Sequence, residues 1–145
     1  MAVAKELEIE IHPELTIQLE QDLTSPDLGY PVVQELLQHR RAFTAIVSFN
    51  DIAAIGAIRG LRDANLRVPE DVSVIGFDDI QVAAYRNPRL TTTRQPLRDT
   101  AARILLQRMQ GFKDYPVEFA VPLELIIPET TTSPNAKALL RRVRP

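Results

Sequence analysis

The sequence has no cysteine and no tryptophan, and its two histidines are His12 and His39. Without cysteine there is no disulfide and no thiolate metal site, and nothing marks the redox compartment. Two histidines are too few for a histidine-rich centre, so neither a metal nor a cofactor is expected. No apolar run approaches the length of about 20 residues that crosses a bilayer. The opening MAVAKELEIEIHPEL lacks the apolar stretch of a secretion signal, which makes the cytoplasm the expected compartment and excludes a membrane partner. Excess charge is scarce too, with 17 basic against 19 acidic side chains and a net charge of −2. Phosphate binding needs a concentrated positive field, so this chain is not expected to read DNA by itself. Arg141, Arg142 and Arg144 sit together in the terminal RRVRP, but beyond the last patterned segment they read as a solvated tail.

What remains is ordinary globular material. The chain has 145 residues, 45% apolar and 25% charged, enough to bury a core without staples. LTIQL, Leu15 to Leu19, alternates apolar and polar residues like a half-buried strand. PVVQELLQHRR places Val33, Leu36 and Leu37 on one helical face. FTAIVSF is short, continuous and β-branched, the pattern of a strand covered on both sides. A helix follows to about Asn65, then a second buried strand from Val72 to Phe77, then a short helix ending before Pro88. Leu97 to Gln110 is helical, with Gly111 as its terminator. VEFAVPLELII supplies a last strand interrupted by Pro122. Strands alternating with helices predict right-handed crossovers, and buried strands demand helices on both faces. The fold class is α/β, an open parallel sheet.

In such sheets ligands collect at the carboxyl ends of the strands. SFND puts Asn50 and Asp51 after one strand, and GFDD puts Asp78 and Asp79 after the next. If the strands are neighbours, both polar pairs enter one crevice, where an amide and a carboxylate suit vicinal hydroxyls or an amine. Asn and Asp are equally preferred helix caps, and one residue of each pair is expected to do that work. Catalytic readings find no support. Asp78 and Asp79 are adjacent and so are not a facing acid and base. His39 lies at a helix end beside Arg40 and Arg41, as a solvated cap would. Neither GxSxG nor a Walker-type phosphate loop occurs, and no catalytic residue is expected. Gly56 and Gly60 form a GxxxG that reads as close helix packing.

Three blocks, FNDIAAIGAIRGL, VPEDVSVIGFDDI and PRLTTTRQP before a helix, together closely resemble the LacI/GalR family of bacterial transcription regulators. They span about Thr44 to Met109, with weaker similarity from about Leu15 to Thr131. The resemblance implies a core like the type I periplasmic binding proteins, two α/β subdomains around an effector cleft. It also implies a small-molecule effector, dimers, and operator DNA bound through an N-terminal helix-turn-helix headpiece. Family members run to more than twice this length, so the chain is expected to be a truncated product or a fragment. By the family pattern residues 1–90 and 118–131 belong to the C-terminal subdomain. Residues 91–117 form a hinge crossing and a helix of the N-terminal subdomain, and 132–145 is a tail. Glu118 to Ile127 is expected to rejoin the first sheet, and the helix Leu97 to Gln110 has no obvious sheet to lie on.

The same resemblance implies that Asn50 and Asp78 contact a sugar-like or nucleoside-like effector, leaving capping to Asp51 and Asp79. Leu23 falls nearest the place where members offer an aromatic to the ligand. On the helix after FND, Ala54, Ala57, Ile58 and Leu61 share one side, which is expected to face the sheet. Ile55, Arg59 and Arg62, with Ile52 one turn earlier, share the other. In the family that helix packs on its counterpart across a two-fold axis, which makes Ile52, Ile55, Arg59 and Arg62 the expected dimer interface. The alternative function is a fragment of a type I sugar-binding protein serving an ABC transporter. FNDIAAIGAIRGLRD favours the regulator.

Overall fold

The computed structural model describes residues 6, 12–18, 25–38, 43–111 and 120–134. After two 3-10 turns, Pro13–Leu15 and Pro26–Leu28, the order is α1 (Gly29–Gln38), β1 (Ala45–Val47), α2 (Asp51–Asp63), β2 (Ser73–Ile75) and α3 (Gln81–Ala84). β3 (Thr92–Arg94), α4 (Leu97–Met109) and β4 (Glu124–Ile126) complete it. The strand expected from Leu15 to Leu19 is not formed in its described part. Pro13, with its fixed φ, starts a 3-10 turn instead, and the Thr16 amide closes it on the Pro13 carbonyl at 3.0 Å. Leu19 and His39 lie outside the described residues.

β1 and β2 pair in parallel, with Ala45 opposite Ser73 and Val47 opposite Ile75, as the alternation of strands and helices predicts. α2 crosses between them and supplies the largest share of the core: Ala54, Ile55, Ala57, Ile58 and Leu61, packed with residues that include Val33, Val72, Val74 and Leu90. α1 and the Pro26–Leu28 turn lie against α2. The approach is close because glycines stand at the crossing. A Cβ on Gly29 would strike the Ala53 carbonyl oxygen, and one on Gly60 would meet the Val33 Cβ at 3.0 Å. The GxxxG thus packs helix on helix at its second glycine. Burial by α1 as well as by the sheet also corrects the expected stripe. Ile55 is 9% exposed and part of the core, while Arg59 and Arg62 are exposed and Ile52 is half-buried.

The end of the chain differs from expectation in its pairing. β4 does not rejoin the parallel sheet but pairs antiparallel with β3, Thr92 opposite Ile126 and Arg94 opposite Glu124. The return to the sheet comes a few residues later. The Val74 amide donates to the Thr130 carbonyl at 2.8 Å, and the Thr130 hydroxyl donates to the Val74 carbonyl at 2.7 Å. Thr91 lies beside the other end of β2, its carbonyl accepting from the Gly76 amide at 2.9 Å. β2 is therefore held by β1 on one side and by Thr91 and Thr130 on the other. α4 has no buried residue; Leu105, Leu106 and Met109 are 61%, 58% and 75% exposed.

Candidate functional site

Parallel pairing of β1 with β2 puts their carboxyl ends at one edge of the sheet, so Asn50 and Asp78 open from the same edge. Each loop there has a distinct local cause. Asn50 has extended backbone just before α2, and its Oδ1 accepts from the Ala53 amide at 2.8 Å. It is the N-cap, against the expectation that Asp51 would cap. Either residue type could serve, but the cap must stand outside the helix, and Asp51 is already its first helical residue. The Asn50 cap uses only the carbonyl oxygen of the side-chain amide and leaves its NH2 group to donate elsewhere.

Asp51 turns inward instead. It is completely buried, with Oδ2 accepting from the Ile80 amide at 2.9 Å and Oδ1 from the Thr92 hydroxyl at 2.5 Å. Burial raises its pKa above the ordinary carboxylate value, opposed by these two hydrogen bonds. Asp79 does not cap either. α3 begins after Ile80, with no side-chain cap, and Asp79 pairs with Arg94 at 2.6 Å. Arg94 also reaches Glu124 at 3.1 Å, so one guanidinium links the loop after β2 to both β3 and β4. Asp78 is exposed, with the Gln95 side-chain amide donating to its Oδ1 at 3.5 Å and its own amide donating to the Thr93 carbonyl at 3.0 Å. Asp78 and Asp79 both have left-handed backbone, at φ 111° and 51°.

An exposed carboxylate and an amide donor therefore stand at one edge of the sheet, a combination that can both accept and donate hydrogen bonds. Thr92, Arg94 and Gln95, which hold the loop from the crossing strand, were not singled out in the sequence. The only signal for them was their position in the PRLTTTRQP block. Leu23, the residue nearest the ligand by resemblance, lies outside the described residues. Ile52 lies in the first turn of α2, whereas Arg59 and Arg62 lie toward its other end. There Arg59 stands over the Tyr30 ring at 5.4 Å, and Arg62 donates to the Asn87 carbonyl. Among the described residues no group of three or more His, Cys, Asp or Glu could hold a metal ion, and no helix is long and apolar enough to cross a membrane.

Comparison with known proteins shows the family. The periplasmic binding protein-like domain family matches residues 3–131. The HTH-type transcriptional repressor PurR of Aliivibrio salmonicida is 47% identical over 81 residues, which are 54% of this chain and 24% of that protein. A sugar-binding transcriptional regulator of the LacI family from Escherichia coli, solved with phosphate, superposes with a TM-score of 0.79. It is 30% identical, over 92% of this chain and 48% of that one. A LacI family regulator from Enterococcus faecium, solved with bound ribose, has a TM-score of 0.74 and 33% identity over 90% of this chain and 48% of its own. The chain thus spans about a quarter of the PurR relative and about half of each solved regulator. On the match across residues 3–131, and on the regulators that share its sequence and fold, the chain belongs to the periplasmic binding protein-like domain family in the form found in LacI/GalR transcription regulators.

Proposed function

We propose that the chain is part of the effector-sensing core of a LacI-type transcription regulator, and that its ligand is a sugar or a nucleoside. The observation that carries this reading is the meeting of Asn50 and Asp78 at one edge of the parallel sheet, one with a spare amide donor and the other with an exposed carboxylate. Such a pair matches vicinal hydroxyls, which both donate and accept. The ribose bound by the Enterococcus faecium relative supports a polyhydroxy ligand. Residues 1–90 and 118–131 then form one lobe of the cleft, and β3 and β4 are the crossings to a second lobe that includes α4. The protein acts by binding and not by catalysis, in the cytoplasm, and operator DNA is gripped by a helix-turn-helix headpiece and not by these residues. The PurR relative, itself a repressor, supports this over a transport protein. The regulator is a homodimer, its partner meeting Ile52, Ile55, Arg59 and Arg62 on the outer face of α2. A cleft of 630 Å³ beside that face, lined by Tyr30, Arg59, Arg62, Arg86 and Pro88, leaves room for side chains of a second copy.

Calorimetric titration of ribose and of adenosine into the full-length regulator tests the site. Asp78→Asn and Asn50→Asp should each weaken binding by about 1–3 kcal/mol, the cost of leaving a buried polar partner unmatched. Asn50→Asp is the informative change because aspartate preserves the cap on Ala53 and replaces the NH2 donor with a charged acceptor. Unchanged affinity in both variants would reduce Asn50 to a cap and Asp78 to a loop residue.

A further inference from the structure

We propose that Asp51 is a positioning residue for the binding loop: its buried carboxylate sets the backbone that presents Asp78 and, through Thr92, fixes that loop to the strand by which the chain leaves the sheet. The inference rests on the reading of Asp78 as a ligand contact and asks what holds it in place.

Asp78 and Asp79 occupy left-handed backbone that residues with a Cβ adopt only at a cost, so something outside the loop must hold them there. Two consecutive amides just beyond Asp78 supply the hold. The Ile80 amide donates to Asp51 Oδ2 at 2.9 Å, and the Asp79 amide donates to the Thr92 hydroxyl oxygen at 3.2 Å. The Thr92 hydroxyl spends its own proton on Asp51 Oδ1. One carboxylate thus organises the loop directly and through a single hydroxyl. The surroundings leave room for it. A Cβ on Gly76 would fall on Asp51 Oδ1, and the Asp51 amide donates to the Phe77 carbonyl at 2.9 Å. Capping does not account for this carboxylate, since Asn50 already caps α2. A fully buried carboxylate is costly, which burial's upward pull on its pKa reflects. Its two bonds run to segments distant in sequence, not to its own helix. Thr92 is equally buried and belongs to β3, so the cluster joins the start of α2, the Asp78 loop and the crossing strand at one point.

The test uses Thr92→Val, which keeps the shape and removes the hydroxyl, Thr92→Ser, which restores it, and Asp51→Asn. Amide hydrogen exchange is followed residue by residue, and ribose affinity of the full-length regulator is measured in parallel. Thr92→Val should speed exchange at Asp79 and Ile80 at least tenfold while Val74 and Ala57 change less than twofold. It should weaken ribose binding about tenfold, and Thr92→Ser should recover both. Asp51→Asn should loosen the same two amides. Unchanged exchange at Asp79 and Ile80 overturns the proposal. So does equal acceleration at Val74 and Ala57, which would mark a merely structural role, and so does local loosening with undiminished ribose affinity. If the wild-type regulator takes up no ribose, the sugar reading falls, and the exchange measurements still decide whether Asp51 and Thr92 hold the loop.

Discussion

Asn50 and Asp51 are neighbours with nearly the same chemistry, and the structure gives them opposite work. Asn50 faces the strand edge and caps a helix; Asp51 faces the interior and ties three segments together. Their environments make the second one sensitive to pH. Burial raises the Asp51 pKa above its ordinary 3.8, and the nearby Asp78 and Asp79 carboxylates push the same way, against the hydrogen bonds from Thr92 and Ile80. An acid whose pKa is raised by folding binds its proton more tightly in the folded state. Its contribution to stability is therefore complete below pH 3.8 and is lost as the pH climbs through the raised value. The difference in unfolding free energy between wild type and Asp51→Asn should shrink in the wild type's disfavour as pH rises from 3 to 7, followed by urea denaturation. A difference that grows in the wild type's favour would mean that the carboxylate is held charged by its hydrogen bonds instead. Glu129 runs the other way, because the Arg89 amide and guanidinium lower its pKa, and its smaller surface contribution is lost as the pH falls.

At the scale of elements, α2 and α4 each have 13 residues and contrast sharply. α2 lies between α1 and the sheet and is buried over most of its length; α4 has no buried residue. Leu61→Ala should therefore cost about 2–5 kcal/mol of stability in urea unfolding. Leu105→Gln should change it by no more than about 0.5 kcal/mol, since that side chain is 61% exposed. Equal effects would mean that α4 is part of the core after all. Both helices were legible in the sequence, α2 by its apolar period and its Asn50 cap and α4 by its length and the Gly111 that ends it. The two parallel strands were legible too, as short β-branched runs, but β1 is not covered on both sides as expected, since Val47 is 82% exposed. Leu15 to Leu19 misled because five alternating residues fit a strand as well as a turn, and Pro13 decided for the turn. The partner of β4 could not be read, since nothing local to Glu124–Ile126 distinguishes pairing with β3 from pairing with β1 or β2. For the same reason the site was half legible. SFND and GFDD announced polar loop ends, but which residue caps depends on one backbone angle, and the Asp51–Thr92 bond joins residues 41 apart.

At the scale of the whole molecule, the proposed dimer sets its partner against the outer face of α2. Ile55 is 9% exposed and lines the cleft beside that face, so the apolar contact there is Ile52 with the edge of Ile55, beside Arg59 and Arg62. Sedimentation of the regulator at micromolar concentration should show dimers, and Ile52→Asp should shift them to monomers by placing a charge in a dry contact. Monomers in the wild type, or dimers that survive the substitution with the fold intact, would move the interface elsewhere. The antiparallel pairing of β3 with β4 has a separate effect on how the chain accommodates change. It fastens the chain before α4 to the chain after it at one place, with Arg94 holding Glu124 across the pair. Where two ends of a chain are already held together, the length between them matters little, and doubling it adds only about 0.6 kcal/mol of closure entropy. Gly111 turns the chain after α4 at φ 90° with nothing near its Cβ position. It marks a natural splice point, where extra sequence could be inserted without disturbing the registers on which the strand-edge site depends.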